Sequence, residues 1–101
     1  MNSIVIIGKL KEGPTLKEIA GGLKLAQGIF EVPRSYSNGE GKDFDLFQIS
    51  FWKGLAEEAL KLPEDVYIAI KGRLQANNFT KDDGTTIYRN EIVAEKICRL
   101  D

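Results

Sequence analysis

Hydrophobic and polar positions alternate with a period of two along several segments of this chain, which indicates β-strands. The clearest segment covers residues 46–52, where Phe47, Ile49 and Phe51 share one face of the predicted strand. That face is uniformly apolar, so we expect it to point into a core. The opposite face is mixed in polarity, so we expect its Trp52 to lie on a half-solvated surface.

The same alternation predicts five strands in all, separated by turns. Lys11–Pro14 is expected to end the first strand, because proline cannot donate to a β-ladder. Asn38-Gly39 and Asp83-Gly84 are turn signals that predict two hairpin tips. Residues 16–20 remain ambiguous. The predicted strands cover residues 4–10, 23–32, 46–52, 66–74 and about 87–97.

One short helix is predicted between the third and fourth strands. Apolar residues recur at helical spacing from Leu55 to Leu60, and Leu62-Pro63 closes the segment. Three strands, a helix and two further strands are the element order of the OB-fold, a five-stranded Greek-key barrel. The 101 residues suffice for one domain, so we expect a single all-β OB-fold domain over residues 1–101.

The first predicted strand is apolar on both faces. Ile4 and Ile6 belong to one face, while Val5 and Ile7 belong to the other. The second face needs a cover, which could be another subunit or a loop of the same chain. The sequence leaves both possibilities open.

Composition excludes several classes of function. With no histidine and one cysteine, the chain lacks the residues for imidazole or thiolate metal sites and for Ser-His or Cys-His nucleophile pairs. Neighbouring carboxylates such as Glu57 and Glu58 point in different directions, so we expect no metal site, no cofactor and no enzyme activity. Cys98 has no partner for an internal disulfide, and we expect it to be inert and partly buried.

The lengths of the apolar runs and the net charge further limit the classes of function that we expect. No apolar run approaches the ~20 residues of a membrane helix, so we expect a soluble cytoplasmic protein without membrane contact. The net charge of −1 and the pI of about 5.5 lie far from the basic composition typical of nucleic-acid binders. Local placement of cations matters more than the total, because salt screens distant surface charges.

Four segments of the chain resemble the bacterial and phage single-stranded DNA-binding proteins, in the same order and over nearly the whole length. They cover residues 1–10, 46–57, 70–74 and 88–94. The resemblance implies sequence-independent binding and protection of single-stranded DNA in replication, recombination or repair. It also implies a homotetramer or homodimer, no small-molecule substrate, and a place on the nucleoid, or in the host cytoplasm if the protein is phage-encoded.

The resemblance also implies which aromatic residues stack on bases. By position, Tyr36, Trp52 and Phe79 match three stacking aromatics of the family. A fourth stacking position of the family falls at Leu46, where this chain has no ring. The neighbouring Phe47 is directed inward by parity, that is, by the alternation of side chains between the two faces of a strand. Trp52 could instead be buried under the helix, and Tyr36 could pack on its own hairpin.

Basic residues are expected to meet backbone phosphates in a groove over the outer sheet face, between the two hairpins. Parity places three of them on outward rows, and others lie at strand ends. The predicted phosphate contacts are Lys9, Lys11, Arg34, Lys53, Lys71, Arg73 and Arg89.

The sequence stops at Asp101, directly after the predicted barrel. The linker and acidic tail of cellular family members are therefore expected to be truncated, or absent as in a short phage, plasmid or accessory paralogue. Two other functions remain open: a primosome or conjugation accessory with weak single-strand binding, and a protein-interaction module whose aromatics form a subunit interface. An RNA-binding domain of the translation type is less favoured.

Overall fold

The computed structural model describes residues 1–35 and 43–101. In chain order its elements are β1 Ile4–Ile19, β2 Leu23–Pro33, β3 Phe44–Trp52, α1 Gly54–Leu60, β4 Tyr67–Ala76, β5 Phe79–Thr80, β6 Thr86–Ile87 and β7 Asn90–Arg99. Five strands close into a barrel in the order β1, β2, β3, β7, β4, and β5 pairs with β6 in a separate hairpin. This architecture confirms the predicted OB-fold, with its short helix between the third and fourth strands.

The barrel core is built from the inward rows that alternation predicts. Phe30 of β2 and Phe51 of β3 are fully buried, with ring centroids 6.0 Å apart and tilted by 52°. Ala56 and Ala59 bring α1 into the same core, where the helix packs against β1, β2, β3 and β7. In the described part of the chain, no helix has both the length and the apolar character needed to cross a bilayer.

The predicted end of the first strand at Lys11–Pro14 is wrong. β1 continues to Ile19 and pairs with β2 from Thr15–Gln27 onward. Register shifts flank Glu12 on both sides, so Pro14 falls inside an irregular stretch where no ladder bond is required of it. Proline therefore marks a bulge in a long strand.

The pairing of β3 with β7 is short, and this opens one side of the barrel. These two parallel strands match only at Ile49–Ile92 and Ser50–Val93. Among the described residues, the first half of β3 has no strand neighbour on that side. Phe47 pairs with the fully buried Phe30 and so belongs to the inward face, but it is 36% exposed, so the prediction that it is buried in the core is wrong. On β4, Leu74 ends the row of alternate residues that contains the buried Ile68 and Ile70, and it is exposed.

The second apolar face of β1 is uncovered. Val5 is 65% exposed and Ile7 is 48% exposed. Of the two possibilities left open by the sequence, cover by a loop of the same chain is therefore not found among residues 1–35 and 43–101.

Residues 77–89 form a projecting hairpin, here called the arm, which contains β5 and β6. Phe79 pairs with Ile87, and the turn at residues 81–84 confirms the second predicted hairpin tip. The Asp83 carboxylate accepts a hydrogen bond from the Thr85 amide at 2.8 Å, which lowers the pKa of Asp83. The predicted fifth strand is thus divided, because its first residues belong to the arm and its remainder is β7.

Candidate nucleic-acid interface

Two adjoining depressions lie on the outer face of the barrel. The first, of about 310 Å³, occupies the gap where β3 and β7 diverge at the base of the arm. The second, of about 290 Å³, crosses β2 to the bulged part of β1. Both are lined by Gln27 and Gln48, so they form one continuous depression, here called the outer groove.

The floor of the outer groove is a chain of polar side chains. Gln27 Nε2 donates to Ser50 Oγ at 3.2 Å, and Ser50 Oγ donates to Glu91 Oε1 at 2.7 Å. Ser50 is only 1% exposed, although parity places it on the outer face of β3. Its buried hydroxyl group has partners in both hydrogen bonds, which hold the three side chains in a defined arrangement.

Trp52 lies one row beyond this floor. It pairs with Leu25 across β2 and β3, and Leu25 pairs with Lys17 on β1. The indole is partly buried, which agrees with the half-solvated position predicted from the sequence. Lys53 follows Trp52 and is exposed. Its backbone amide donates a hydrogen bond to the Lys24 carbonyl at 2.9 Å, which holds it beside β2.

Phe79 lies at the other end, on the arm. Its side chain is 54% exposed on β5. The backbone amide of Asn77 donates a hydrogen bond to the Arg89 carbonyl at 2.9 Å, which closes the base of the arm. Both residues line the outer groove. Phe79 follows Asn77 by two residues, so the exposed ring belongs to the arm whose base lines the groove.

Leu46 and Phe47 form an apolar wall of the first depression. Leu46, the position without a ring, is exposed, and the partly exposed ring of Phe47 stands next to it. Tyr36, the third predicted stacking residue, lies outside the described residues, as does the first hairpin tip.

The predicted phosphate contacts divide into three groups. Arg89 lines the groove, and Lys11 and Lys53 are exposed; none of the three joins an ion pair within the described residues. Arg34 is held by Asp45 at 2.6 Å and Arg73 by Glu95 at 3.5 Å, so these guanidinium groups already have anionic partners.

Lys9 and Lys71 form the third group and lie on a different side of the barrel. Lys71 pairs with Val5 across β1 and β4, and the Lys9 ammonium stands 4.8 Å from the centre of the Tyr67 ring. Cys98 belongs to this side as well and is exposed, so its expected partial burial is wrong. Parity is right that these lysines point outward, but the structure does not bring them to the outer groove.

Three charged groove residues were missed by sequence reasoning. Glu12 and Lys17 line the second depression, and Glu91 lines the first. A strand assignment for residues 16–20 would have placed Lys17 on the outer face by alternation. No local signal identifies Glu91, because its place in the floor depends on the long-range pairing of β3 with β7.

Comparison with known proteins gives a consistent result over the whole chain. The profile of the single-strand binding protein family matches residues 1–100. Single-stranded DNA-binding protein 3 of Listeria innocua is 32% identical over the entire chain, which spans 64% of that relative's length, less than two thirds. Single-stranded DNA-binding protein B of Bacillus subtilis is 26% identical over 99% of this chain and 90% of its own length.

Proposed function

Because this chain belongs to the single-strand binding protein family, we propose that it binds single-stranded DNA through the outer groove, independently of the overall sequence. It acts by binding alone, without catalysis, and protects single strands in the cytoplasm during replication, recombination or repair. The observation that carries the proposal is the continuous groove, with Trp52 two strand pairings from the groove-lining Lys17 at one end and the base of the arm that bears Phe79 at the other.

Stacking supplies the sequence-tolerant part of the affinity. Every base has a π-face, and each base stacked on an aromatic side chain contributes ~1–3 kcal/mol. Trp52, Phe79 and Tyr36 are the proposed platforms. Phe47 adds a partly exposed ring beside Leu46, at the position where the sequence alone leaves a gap.

Phosphate contacts supply the salt-dependent part. Lys17, Lys53 and Arg89 lie along or beside the groove and belong to no ion pair among the described residues. Three phosphate contacts on a single strand give a slope of about −2 for the logarithm of the binding constant against the logarithm of salt concentration. A longer strand that extends beyond the groove reaches the exposed Lys11 and, where it displaces their carboxylate partners, Arg34 and Arg73. Lys9 and Lys71 lie beside Tyr67 and Val5, on the surface proposed below for association.

A fluorescence titration tests the proposal. Trp52 is the sole tryptophan, so its emission reports on the groove directly. We expect oligothymidine to quench it, with a salt slope of about −2 and little effect from duplex of equal length. Anisotropy of a labelled oligonucleotide provides the second measurement. Absence of both signals at low salt, with the protein folded, would overturn DNA binding and favour the protein-interaction module.

We further propose that copies of the chain associate through the uncovered face of β1. Val5 and Ile7 are joined there by the exposed Tyr67 and Leu100, which makes an apolar surface of the kind that partners cover. A homotetramer or homodimer built on this surface removes it from water.

Sedimentation tests this association. The native chain is expected to sediment as an oligomer, and Ile7→Lys to dissociate, because a charge then has to be buried in the interface. Ile19→Lys introduces the same charge at an exposed apolar position at the far end of β1 and is expected to leave the mass unchanged. A native chain that is monomeric at micromolar concentration would contradict the proposal.

A further inference from the structure

A carboxylate occupies the floor of a groove proposed to hold a polyanion. Glu91 is partly buried at the start of β7, and Ser50 donates to its Oε1 at 2.7 Å. Ser50 is in turn fixed by Gln27. Among the described residues, no lysine or arginine forms an ion pair with Glu91, so its charge is oriented but not neutralised.

This arrangement decides which part of a nucleotide can face the floor. A phosphate near Glu91 would meet a like charge in a partly desolvated cleft, which is unfavourable. Arg89 lines the same depression and offers the phosphate a cation instead. The base must therefore point towards the floor, while the backbone follows the side of Arg89.

The chemistry of the carboxylate then distinguishes among bases. An ionised carboxylate accepts hydrogen bonds and donates none. Cytosine presents an N4 amino group, whereas uracil and thymine present a carbonyl oxygen at the same position. The cytosine amino group can donate to Glu91 from the outer edge of the base. Uracil and thymine can donate only from N3–H, which lies between two carbonyl oxygens, so a carboxylate that accepts from N3–H also meets the repelling lone pairs of those oxygens. Leu46 supplies no ring in this depression and Phe47 supplies only a partly exposed one, so contacts to the base edge add to a weak stacking contribution here.

We propose, resting on the proposed single-strand binding, that Glu91 is a specificity-determining residue that makes this depression select bases bearing an exocyclic amino group. Ser50 and Gln27 act as positioning residues for its carboxylate. The protein remains tolerant of sequence along most of the strand, where stacking dominates, and discriminates at the nucleotide over Glu91.

The sharpest probe is a pair of homopolymers that differ at the base edge. Oligo(dC) and oligo(dU) of equal length share their backbone and ring size, and neither carries the thymine methyl group. The native chain is expected to bind oligo(dC) at least ~5-fold more tightly than oligo(dU) at neutral pH and low salt. Equal affinities would overturn the inference, and this comparison needs no variant.

Glu91→Gln provides the decisive variant. Glutamine keeps the size and an acceptor for Ser50, but its amide can also donate to a uracil carbonyl, so the preference is expected to fall to about 1 as oligo(dU) binding improves. The matched control is Glu58→Gln, which removes an exposed carboxylate of α1 that lines neither depression and should leave the preference unchanged. Persistence of the preference in folded Glu91→Gln would overturn the role of Glu91.

The two proposals fail in different ways. If the native chain binds neither homopolymer, single-strand binding itself is wrong. If it binds both equally, single-strand binding stands and the selective role of Glu91 is wrong.

Discussion

Replacing both Trp52 and Phe79 with alanine is expected to weaken single-strand binding by at least ~30-fold. Each ring is proposed to stack on a base at ~1–3 kcal/mol, and two such losses at the lower limit already reach this factor. The two residues lie on different elements, β3 and the arm, so their losses are expected to add. Anisotropy of a labelled oligonucleotide measures the change, since the variant has no tryptophan.

The matched control keeps the rings and changes their identity. Trp52→Phe combined with Phe79→Tyr is expected to retain most of the affinity, because stacking requires an aromatic face and little else. Thermal unfolding of both double variants checks the fold, since the partly buried Trp52 lies beside the buried Leu25. Full binding by a folded alanine variant would show that these rings do not stack.

Replacing Gly72 with alanine is expected to lower the free energy of unfolding by about 3 kcal/mol. A Cβ atom at this position would overlap the carbonyl oxygen of Val93 and stand 3.1 Å from its carbonyl carbon. Both obstacles are backbone atoms of β7, at a register shift of the β4–β7 pairing, so no side chain can move aside. Urea denaturation measures the change.

Gly54→Ala is the control for this prediction. A Cβ atom at Gly54 meets nothing within 4 Å, and the residue opens α1. Alanine there restricts the unfolded chain more than glycine does, so an increase of up to ~1 kcal/mol in the free energy of unfolding is expected. Equal stabilities of the two variants would show that the backbone at the β4–β7 bulge shifts to accommodate a Cβ atom at little cost in free energy.

Much of the fold follows from local sequence. Alternation identifies the strands because side chains on a strand change face at every residue, and the inward row of β3 contains the fully buried Ile49 and Phe51. The short helix and the Asp83-Gly84 turn are equally local, because each depends on residues a few positions apart. The element order that defines the OB-fold needs nothing more.

The candidate site depends on long-range pairing to a greater degree. Parity states whether a residue points in or out, but not on which side of a closed barrel an outward residue lies. Lys9, Lys71 and Arg89 are all basic, yet only Arg89 lines the outer groove, while the β1–β4 register places the two lysines beside Val5 and Tyr67.

The sequence by itself determined the class of fold, the inward rows and the exclusion of histidine chemistry, because these depend on composition and on a two-residue period. Only the tertiary structure decided that Phe47 is partly exposed, that Ser50 is buried, and that Glu91 lies in the groove floor. All three follow from one non-local fact. β3 and β7 pair over two positions and then diverge, and no local pattern records where two distant strands separate.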